Sequence, residues 1–548
     1  MKPQYLFRWL SVHGAPRAIL RTQARRGDAF AQLMGGPIGL DDPYPLIEQL
    51  RGAGGLQRAS LSWVTFDHGL SRAILRDNRF GVRAPESFVP GPLQRLAKHF
   101  PVPPNPVEPP SMLVIDPPEH TRMRKPVSSA FTPRAIGKLR DRVESVTTEL
   151  LDALPAHGSA DLVRAYAAQV PIAIISEMLG FPDADREMFL NWGDRMTPLL
   201  DLGISWRAHQ RAMDATHFMN HYLVEHIERL RRKPGDDILS SLVTAGELNT
   251  EELIATASLL MGAGFETTVN LIGNGVGQLL AHPGQLARLR EEPELWPNAV
   301  EEVLRFDPPV QTTARTALAD LEFEGVPLRA GATIVLSLAG ANRDPAVFED
   351  PTRFDITRAN AKDHLTFSSG IHVCLGASLA RMEATYALRA LFERFPELRL
   401  EGPPRRRQLF TLHGYEQMPV NLGPRARSPQ HTRVRAPHYP AGGGGGGGGA
   451  PRAHPAPPKP PPPPHHPANL GRLPGGRRPG PRPPHRLGRA SGRLRLSDAG
   501  AGRPRPGPPG KRALRPRCVA GCAPAGRGSP ATWGLRGKCT AASGAAGR

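Results

Sequence analysis

Cysteine is nearly absent from this chain of 548 residues. Cys374 is the only cysteine among the first 517 residues, and the other three, Cys518, Cys522 and Cys539, lie close to the end. A single cysteine excludes a disulfide framework and fits a reducing compartment, so we expect a cytoplasmic protein. The three late cysteines have no histidine or cysteine at a zinc-ligand spacing, and we assign them no role.

Long apolar runs are missing as well. Residues 1–40 contain no continuous hydrophobic segment of the kind found in signal peptides, because arginine and histidine side chains interrupt them. The stretch from Leu253 to Leu280 comes closest to a membrane span, but Glu266 interrupts it. The sequence therefore predicts a soluble protein with no membrane anchor and no membrane partner.

Acidic residues are almost absent from the end of the chain. Residues 421–548 contain 24 Lys or Arg and one acid, Asp498, whereas residues 1–420 contain 46 basic and 49 acidic residues. The formal net charge of +20 therefore belongs to the tail, and the rest of the chain is slightly acidic. Taken whole, the charge would indicate a nucleic-acid partner, but its distribution argues against that for the body of the protein.

The tail, residues 425–548, has no Ile, Phe, Met or Glu and contains a glycine run at 442–449 and a proline run at 460–464. This composition cannot bury enough apolar surface to offset the entropy of ordering, so we predict a disordered Pro/Gly/Arg-rich tail. Three origins stay open: a frameshift or read-through product of GC-rich DNA, a flexible linker, or a nucleic-acid-binding arm. The last is disfavoured because only Tyr439 and Trp533 could stack on bases.

Helical periodicity dominates the body, residues 1–424, which we expect to form one domain. Helices are predicted at 134–153, 160–179, 184–200, 206–233, 250–282, 285–306 and 375–395. Short strands are predicted at 61–66, 321–324 and 333–338. The proline-rich segment 90–110 predicts an extended loop, and long loops of this kind often border a binding site. The fold class is therefore mainly α, with a large helical domain and a small β region.

The most informative stretch is Phe367-Ser-Ser-Gly370-Ile-His372-Val-Cys374-Leu-Gly376, which directly precedes a helical pattern. The two glycines permit backbone angles that other residues resist, and they allow a flat ligand to approach closely. A cysteine at a helix N-terminus lies beside free amide N–H groups, which lower the pKa of its thiol and stabilise the thiolate that metals bind. The alternative for a lone cysteine is a buried, inert side chain.

This pattern, followed by Leu379-Ala380-Arg381, resembles the heme-binding loop of the cytochrome P-450 superfamily. The resemblance extends over residues 40–424 and implies the cytochrome P-450 fold, with heme b (iron protoporphyrin IX) as the cofactor. It implies that Cys374 binds the heme iron and that Phe367 and Gly376 contribute to the cofactor site. Ser368 stands where many relatives have glycine, a mild departure. The missing membrane span is typical of the soluble bacterial class.

A second motif, Met261 to Thr268, places glycines, Glu266 and two threonines in the middle of a predicted long helix, against their helix propensities. Alone, it would be a polar patch that faces another helix. It is similar to the family motif Ala-Gly-x-Asp/Glu-Thr, where a widened helix lies over the heme. The resemblance implies that Glu266 and Thr267 are the catalytic acid–alcohol pair that supplies protons during oxygen activation.

A third motif contains Glu302 and Arg305, which are three residues apart and hence neighbours on one helix face. A bare Glu-x-x-Arg is most often a surface ion pair that contributes little to stability. Here an Asp-Pro-Pro sequence and Arg353 follow, and the set resembles the family's Glu-x-x-Arg with a downstream arginine. The resemblance implies a buried Glu302–Arg305–Arg353 network that maintains the fold and the cofactor site.

A fourth motif runs from Asp116 to Arg124, and here Asp116 and Glu119 predict a capping box at a helix start. His120 and Arg124 then lie on one helix face, where two solvated cations are the default interpretation. The family resemblance implies instead that His120, Arg124, Arg315 and His372 bind the two heme propionates. Charge-assisted hydrogen bonds of this kind would fix a dianionic cofactor.

Together, these resemblances imply a heme-thiolate monooxygenase that inserts one oxygen atom from O2 into a C–H bond of a small apolar organic substrate. Electrons would come from NAD(P)H through ferredoxin reductase and ferredoxin. By family analogy, the pocket walls are 90–110, 196–206, 261–262 and 310–312, which are mainly apolar and do not select one substrate. The alternatives are a peroxide-driven peroxygenase, which typically lacks the acid–threonine pair, and a non-catalytic heme protein with a nucleic-acid-binding tail.

Overall fold

The longest helix of the chain begins where the sequence supplies a cap. The computed structural model describes residues 3–82 and 105–426, and in it Asn249 and Glu252 form a capping box. Each side chain accepts a hydrogen bond of 3.0 Å from the backbone N–H of the other residue. The helix then runs from Thr250 to Ala281, and most of its residues are buried. It therefore passes through the centre of the fold.

Helices account for most of the described residues. In chain order they are α1 (Pro3–Trp9), α2 (Ala15–Arg25), α3 (Ala29–Gly35), α4 (Pro37–Asp41), α5 (Tyr44–Arg51), α6 (His68–Arg76), α7 (Glu119–Ser128), α8 (Pro133–Gly137), α9 (Arg140–Ala153), α10 (Gln169–Met178), α11 (Arg186–Met196), α12 (Trp206–Arg232), α13 (Ile238–Ala245), α14 (Thr250–Ala281), α15 (Pro283–Glu291), α16 (Trp296–Phe306), α17 (Leu338–Ala341) and α18 (Ala377–Arg394). Two π-helical turns, Leu10–Gly14 and Val163–Ala167, precede α2 and α10.

The strands are short and gather into a small β region. They are β1 (Gln57–Arg58), β2 (Trp63–Thr65), β3 (Phe80–Gly81), β4 (Ser159–Asp161), β5 (Thr312–Ala317), β6 (Leu321–Phe323), β7 (Val326–Leu328), β8 (Thr333–Ser337), β9 (Arg399–Leu400), β10 (Arg405–Arg406), β11 (Tyr415–Gln417) and β12 (Pro419–Asn421). The main sheet has the order β1-β2-β8-β5-β3, with only β2 and β8 parallel. A smaller sheet, β4-β12-β9, and the hairpins β6-β7 and β10-β11 complete the region.

Strand β8 shows how the sheet joins two cores. All five of its residues are buried, which fits the continuous apolar run of a central strand. Successive side chains point to opposite faces of a strand, so Val335 packs with the α3 and α5 side while Ile334 and Leu336 pack with the α6 and β6-β7 side. The largest core surrounds α14 and takes residues from the helical domain.

The expected fold class, mainly α with a small β region, is confirmed. The predicted helices at 206–233, 250–282 and 375–395 correspond to α12, α14 and α18 within two residues at each end. Two other predictions were too long, because 134–153 divides into α8 and α9, and 285–306 divides into α15 and α16. Proline at the first or second position of α8, α15 and α16 starts each new helix.

The sequence interpretation missed several features. The predicted helix at 160–179 begins with strand β4 and a π-helical turn before α10 starts. Strand β5 and the N-terminal helices α1 to α5 were not predicted at all.

Within the described residues, no helix combines the length and the apolarity that a membrane crossing requires. The predicted disordered tail, apart from its first two residues, lies outside the described residues.

Candidate active site

The segment before Cys374 is a tight turn held by backbone hydrogen bonds. The amide of Ser368 donates to the carbonyl of Leu365 over 2.7 Å, and the amide of Cys374 donates to the carbonyl of Phe367 over 2.9 Å. Gly370 has φ +73°, and a Cβ atom there would lie 2.3 Å from the carbonyl oxygen of Leu75. Glycine is therefore required at position 370 both for its backbone angle and for its close approach to α6.

The other two special positions in this loop behave differently. Ser368 has φ +65°, in the left-handed region that favours glycine, which gives a physical reason for the glycine of many relatives. Gly376 has φ −82° and ψ 6°, and a Cβ atom there would meet no atom within 4 Å. The expectation that Gly376 needs unusual backbone angles is therefore wrong, and its contribution is the backbone N–H at the start of α18.

Cys374 lies just before α18 and is a free, exposed thiol, which excludes the inert buried alternative. The surrounding protein nevertheless removes much of the water around its sulfur atom. This desolvation raises the pKa of the thiol, and the amides of Gly376 and Ala377 together with Arg124 and Arg381 oppose the shift without reversing it. The amides at the helix start therefore lower the pKa of this thiol as expected, but burial outweighs them and the net shift is upward.

His120 and His372 form the centre of a group of nitrogen donors near Cys374. Their ring centroids are 4.1 Å apart, and among the described residues neither Nε2 atom has a hydrogen-bond partner although both are buried. The pKa of His372 is lowered to about 3, first by burial and then by the charges of Arg315, His120 and Arg124. Both rings are therefore neutral at pH 7 and each can present an N–H donor.

Two arginines complete this group. Arg315 is buried on strand β5 and donates 2.8 Å to the carbonyl of Ala314, and burial lowers its pKa to about 10 although Asp116 opposes the shift. Arg124 donates to the carbonyl of Val373, and burial lowers its pKa as well. A guanidinium group removed from water is stabilised by an anion, so buried Arg315 and half-buried Arg124 together suit an anionic group.

The donor group fits the cofactor that the resemblance implies. Two buried imidazole nitrogens without partners among the described residues, the buried guanidinium of Arg315 and the half-buried guanidinium of Arg124 suit the oxygen atoms of two propionates. Within the described residues no group of three His, Cys, Asp or Glu side chains could hold a metal ion. A metal held by one thiolate needs a ligand such as a porphyrin to supply the other donors.

Helix α7 positions His120 and Arg124, but without the expected capping box. The helix begins at Glu119 after Pro118, with no side-chain cap. The carboxylate of Asp116 instead accepts a 2.9 Å hydrogen bond from the amide of Val82, next to strand β3. Asp116 therefore links the start of α7 to the main sheet, which also carries Arg315.

Glu266 and Thr267 lie on α14, separate from the donor group. The hydroxyl of Thr267 donates 2.8 Å to the carbonyl of Ala263, four residues earlier, as expected for a polar residue in mid-helix. The α-helix is nevertheless continuous across this motif. Within the described part of the chain, no hydrogen bond, ion pair or ring contact joins Glu266 or Thr267 to Cys374.

Sequence interpretation missed the partners of Glu266. Its carboxylate is buried and lies 3.1 Å from the Nε atom of Arg407, whose guanidinium donates 2.9 Å to Asp194 on α11. Burial raises the pKa of Glu266, the charge of Arg407 lowers it, and Asp194 raises it further. The available signal was general: a buried acid needs a counter-charge, and 405–407 is a run of three arginines.

We predict that Arg407→Met moves a pH-dependent step of catalysis to higher pH. Loss of the cation 3.1 Å from Glu266 destabilises the carboxylate, so the pKa of Glu266 rises and the proton is released at higher pH. The measurement is the pH profile of product formation. The limb of this profile that reports the ionisation of Glu266 is the one that Glu266→Gln removes. Arg405→Met is the matched control, because Arg405 is exposed and pairs with Glu416. An unchanged limb in Arg407→Met would contradict the assignment.

The buried ion pair behind the Cys374 loop is confirmed, but its third member is not the expected one. Arg305 bonds Glu302 through two contacts of 2.7 and 2.8 Å, and both side chains are fully buried. The additional cation is Arg358, 3.3 Å from Glu302. Arg353 is exposed and contributes only its carbonyl oxygen to Arg305, so the predicted role of its side chain is wrong.

A second ion pair ties the helix after Cys374 to the same region. The guanidinium of Arg381 bonds Glu301 over 2.5 Å and lies 4.5 Å above the ring centroid of Phe367. Glu301 also contacts the imidazole of His364 at 3.1 Å. Burial raises the pKa of Glu301, but these two partners outweigh it and leave the pKa at about 2. Arg381 therefore fixes Phe367 and the start of α18 against α16.

The predicted pocket walls lie partly within the described residues. Pro106, at the end of the proline-rich 90–110 segment, lies 3.8 Å from where a Cβ of Gly262 would be. Met196 and Met261 are buried, and Val310 forms an isolated antiparallel bridge with Leu412. Residues 90–104 lie outside the described residues, and the contact near Gly262 comes from the described part of the loop.

An accessible cysteine at a helix start, next to a site for two carboxylates, defines the class of heme-thiolate proteins. A family model described as "Cytochrome P450" matches residues 102–413. The chain is 46% identical over 429 residues to putative cytochrome P450 140 of Mycobacterium tuberculosis. The alignment covers 77% of this chain and 98% of that protein. These matches show that the chain belongs to the cytochrome P450 family and is a monooxygenase with a heme cofactor.

Two further comparisons agree. The chain is 43% identical over 316 residues to 6-deoxyerythronolide B hydroxylase of Saccharopolyspora erythraea. The alignment covers 56% of this chain and 76% of that protein. The crystal structure of Mycobacterium smegmatis CYP164A2 with econazole bound superposes with a TM-score of 0.65 at 36% identity, over 72% of this chain and 99% of that chain. The bacterial-type P450 fold is therefore confirmed.

Proposed function

We propose that this protein inserts one oxygen atom from O2 into a C–H bond of a small apolar organic substrate in the cytoplasm. Electrons would pass from NAD(P)H through a ferredoxin reductase and a ferredoxin. The observation that carries the proposal is the exposed Cys374 thiol beside the unpartnered, buried Nε2 atoms of His120 and His372. The name of the hydroxylase relative supports hydroxylation as the reaction.

Each site residue has a separate role in this proposal. Cys374 would hold the heme iron through its thiolate, with Phe367 and Gly376 beside it, and His120, Arg124, Arg315 and His372 would bind the propionates. When bound, the heme supplies the iron at which O2 is activated. The protein orients the cofactor, excludes water and supplies protons.

Glu266 and Thr267 form the proposed proton path on α14. The Thr267 hydroxyl donates to the carbonyl of Ala263, which fixes its Oγ1 atom on one side of the helix. Glu266 is buried, and its raised pKa brings proton uptake and release closer to neutral pH than for an ordinary glutamate. The charge of Arg407 opposes this shift and favours the ionised carboxylate, so Arg407 would tune the proton affinity of Glu266.

The proposed function is tested by reconstitution with a ferredoxin, its reductase and NADPH. The expected result is a strongly red-shifted Soret band for the reduced carbon monoxide complex, and products that gain one oxygen atom from isotopically labelled O2. Oxygenation that takes its oxygen from labelled peroxide, and proceeds without NADPH, would support the peroxygenase alternative. No oxygenated product with any of a steroid, terpenoid, fatty-acid or macrolide panel would count against the substrate class.

We predict that Thr267→Ala uncouples electron consumption from product formation. Removal of the hydroxyl breaks the proposed proton path, so the ratio of product to NADPH consumed should fall by about tenfold or more while NADPH oxidation continues. Thr268→Ala is the matched control, because its hydroxyl makes a similar bond to Gly264 at 3.3 Å but lies buried in the helix. If both variants remain coupled, or both uncouple equally, the assignment of Thr267 is wrong.

A further inference from the structure

Helix α12 carries two histidines one turn apart on its outer side. His217 and His221 are separated by four positions and both are exposed, whereas Thr216, Met219 and Leu223 on the inner side are buried. Residues four apart are neighbours on a helix surface, with about 5–6 Å between their Cβ atoms. The two imidazole rings can therefore reach one small ligand from the same side of the helix.

The ring of His217 has no polar partner that would compete with a ligand. It makes a ring contact with Phe218, with 6.4 Å between the centroids. Within the described residues, no hydrogen bond or ion pair restrains this ring. Exposed side chains change rotamer in picoseconds to nanoseconds, so the ring can turn toward His221 without disturbing the helix.

Glu225 supplies a partner for the second ring. Its Oε1 atom lies 3.4 Å from the Nε2 atom of His221, one further turn along α12. A carboxylate at one nitrogen of a ligating imidazole fixes the orientation of the ring and raises its basicity. The other nitrogen, Nδ1 of His221, is then the atom that can bind a ligand together with His217.

Two imidazoles on successive turns suit a borderline divalent transition metal. Cu2+, Ni2+ and Zn2+ accept imidazole nitrogen, whereas Mg2+ and Ca2+ prefer oxygen ligands. In the part of the chain that the structure describes, no group of three His, Cys, Asp or Glu side chains could hold a metal ion. Water would therefore complete the coordination of an ion at this histidine pair, and the ion would be exchangeable.

We propose that His217 and His221 form a chelating site for a divalent transition-metal ion on the outer side of α12, with Glu225 as the positioning carboxylate. The site shares no residue with the proposed catalytic machinery and does not depend on the proposed function. Affinity should be higher for Cu2+ than for Ni2+ or Zn2+, the general order for divalent metals at protein ligands. An ion that joins two turns of the folded helix also stabilises the helix by mass action.

The test is isothermal titration calorimetry of the full-length holoprotein with Ni2+. The wild type should show a saturable event of one ion per chain. His217→Ala and His221→Ala should each weaken this event at least about tenfold, because the second imidazole binds intramolecularly at high effective concentration. Full affinity in both variants would overturn the proposal. Mg2+ should give no such event, and equal binding of Mg2+ would indicate oxygen ligands and overturn it as well.

The matched control keeps both imidazoles but separates them. In His221→Ala/Val224→His the two histidines lie seven positions apart, about 10.5 Å along the helix axis, which is too far to share one ion. Val224 is 40% exposed, so the substitution requires no repacking. This variant should bind Ni2+ as weakly as His221→Ala does. Wild-type affinity in this variant would show that the two histidines do not act as a chelate.

The role of Glu225 has its own readout. Glu225→Gln should weaken Ni2+ binding about tenfold or more at an unchanged stoichiometry, as loss of a carboxylate behind a ligating histidine does. The metal-free variant should unfold at the same temperature as the wild type, because the ion pair with His221 is exposed. A lower unfolding temperature with unchanged Ni2+ affinity would assign Glu225 a structural role only.

The tail is the competing source of binding, since His465 and His466 are adjacent there. His465→Ala/His466→Ala should keep the Ni2+ event at full affinity, and its loss in that variant would overturn the proposal in favour of the tail. One ion per two chains, with a dimer in light scattering, would overturn it in favour of a site shared between two copies. An unchanged carbon monoxide spectrum in every variant shows that the fold and the cofactor site are retained.

Discussion

Cys374→Ser abolishes the strongly red-shifted Soret band of the reduced carbon monoxide complex and reduces oxygenation to the detection limit. The Cys374 thiolate is the proposed group that would hold the heme iron, and a serine hydroxyl stays protonated and would not replace it. The fold should survive, because the Cys374 side chain is exposed and the loop is held by backbone hydrogen bonds and by Gly370. Spectra and product yields are compared at equal concentrations of folded protein.

The matched control uses the other cysteines of the chain. Replacing Cys518, Cys522 and Cys539 together with serine changes the same chemical group three times, but in the tail. The triple variant should keep the red-shifted band and the full product yield. A red-shifted band in Cys374→Ser, or its loss in the triple variant, would show that the iron ligand lies elsewhere.

The loop around Cys374 was predictable because its constraints are local. The backbone angle of Gly370, the bond from Cys374 to Phe367 and the start of α18 all arise within eleven consecutive residues, where spacing carries the information. Gly376 shows the limit of this reasoning. A glycine in a motif does not always mark a special backbone angle, and only the observed φ of −82° excludes one.

The polar partners that the sequence did not reveal are distant along the chain. Glu266 forms an ion pair with Arg407, which lies 141 positions later in the sequence, and Arg407 also donates a hydrogen bond to Asp194 on α11. Sequence spacing cannot indicate such contacts, because they arise from the packing of α11, α14 and the β10-β11 region. The requirement for a counter-charge was foreseeable, whereas the identity of the arginine was not.

Arg358 illustrates the same point at shorter range. Arg353 and Arg358 lie five residues apart in one irregular segment, and either can reach α16 by sequence distance. The structure turns the carbonyl of Arg353 toward Arg305 and leaves its side chain exposed. Arg358 instead reaches Glu302 and the carbonyls of Glu349 and Asp350. Backbone direction, which no motif encodes, decides which arginine joins the network.

Arg305→Leu should therefore be strongly destabilising. The guanidinium is fully buried, bonds Glu302 twice and donates to the carbonyls of Asn342, Pro351 and Arg353. Leucine leaves those carbonyls unsatisfied and the carboxylate of Glu302 with only Arg358 and the amide of Asp355. Breaking a buried pair in this way costs about 3–5 kcal/mol, a large part of a total stability of about 5–15 kcal/mol.

The measurement is the urea midpoint of the heme-loaded protein, followed by circular dichroism and by the Soret band. Arg305→Leu should unfold at much lower urea and lose heme in the same range, because the network lies behind the Cys374 loop. Arg353→Leu is the matched control, and its exposed side chain predicts a change within about 0.5 kcal/mol. Arg358→Leu should fall between them, since it removes only the 3.3 Å contact to Glu302 and its carbonyl bonds. If Arg353→Leu proves as costly as Arg305→Leu while Arg358→Leu is neutral, Arg353 is the true third member of the network.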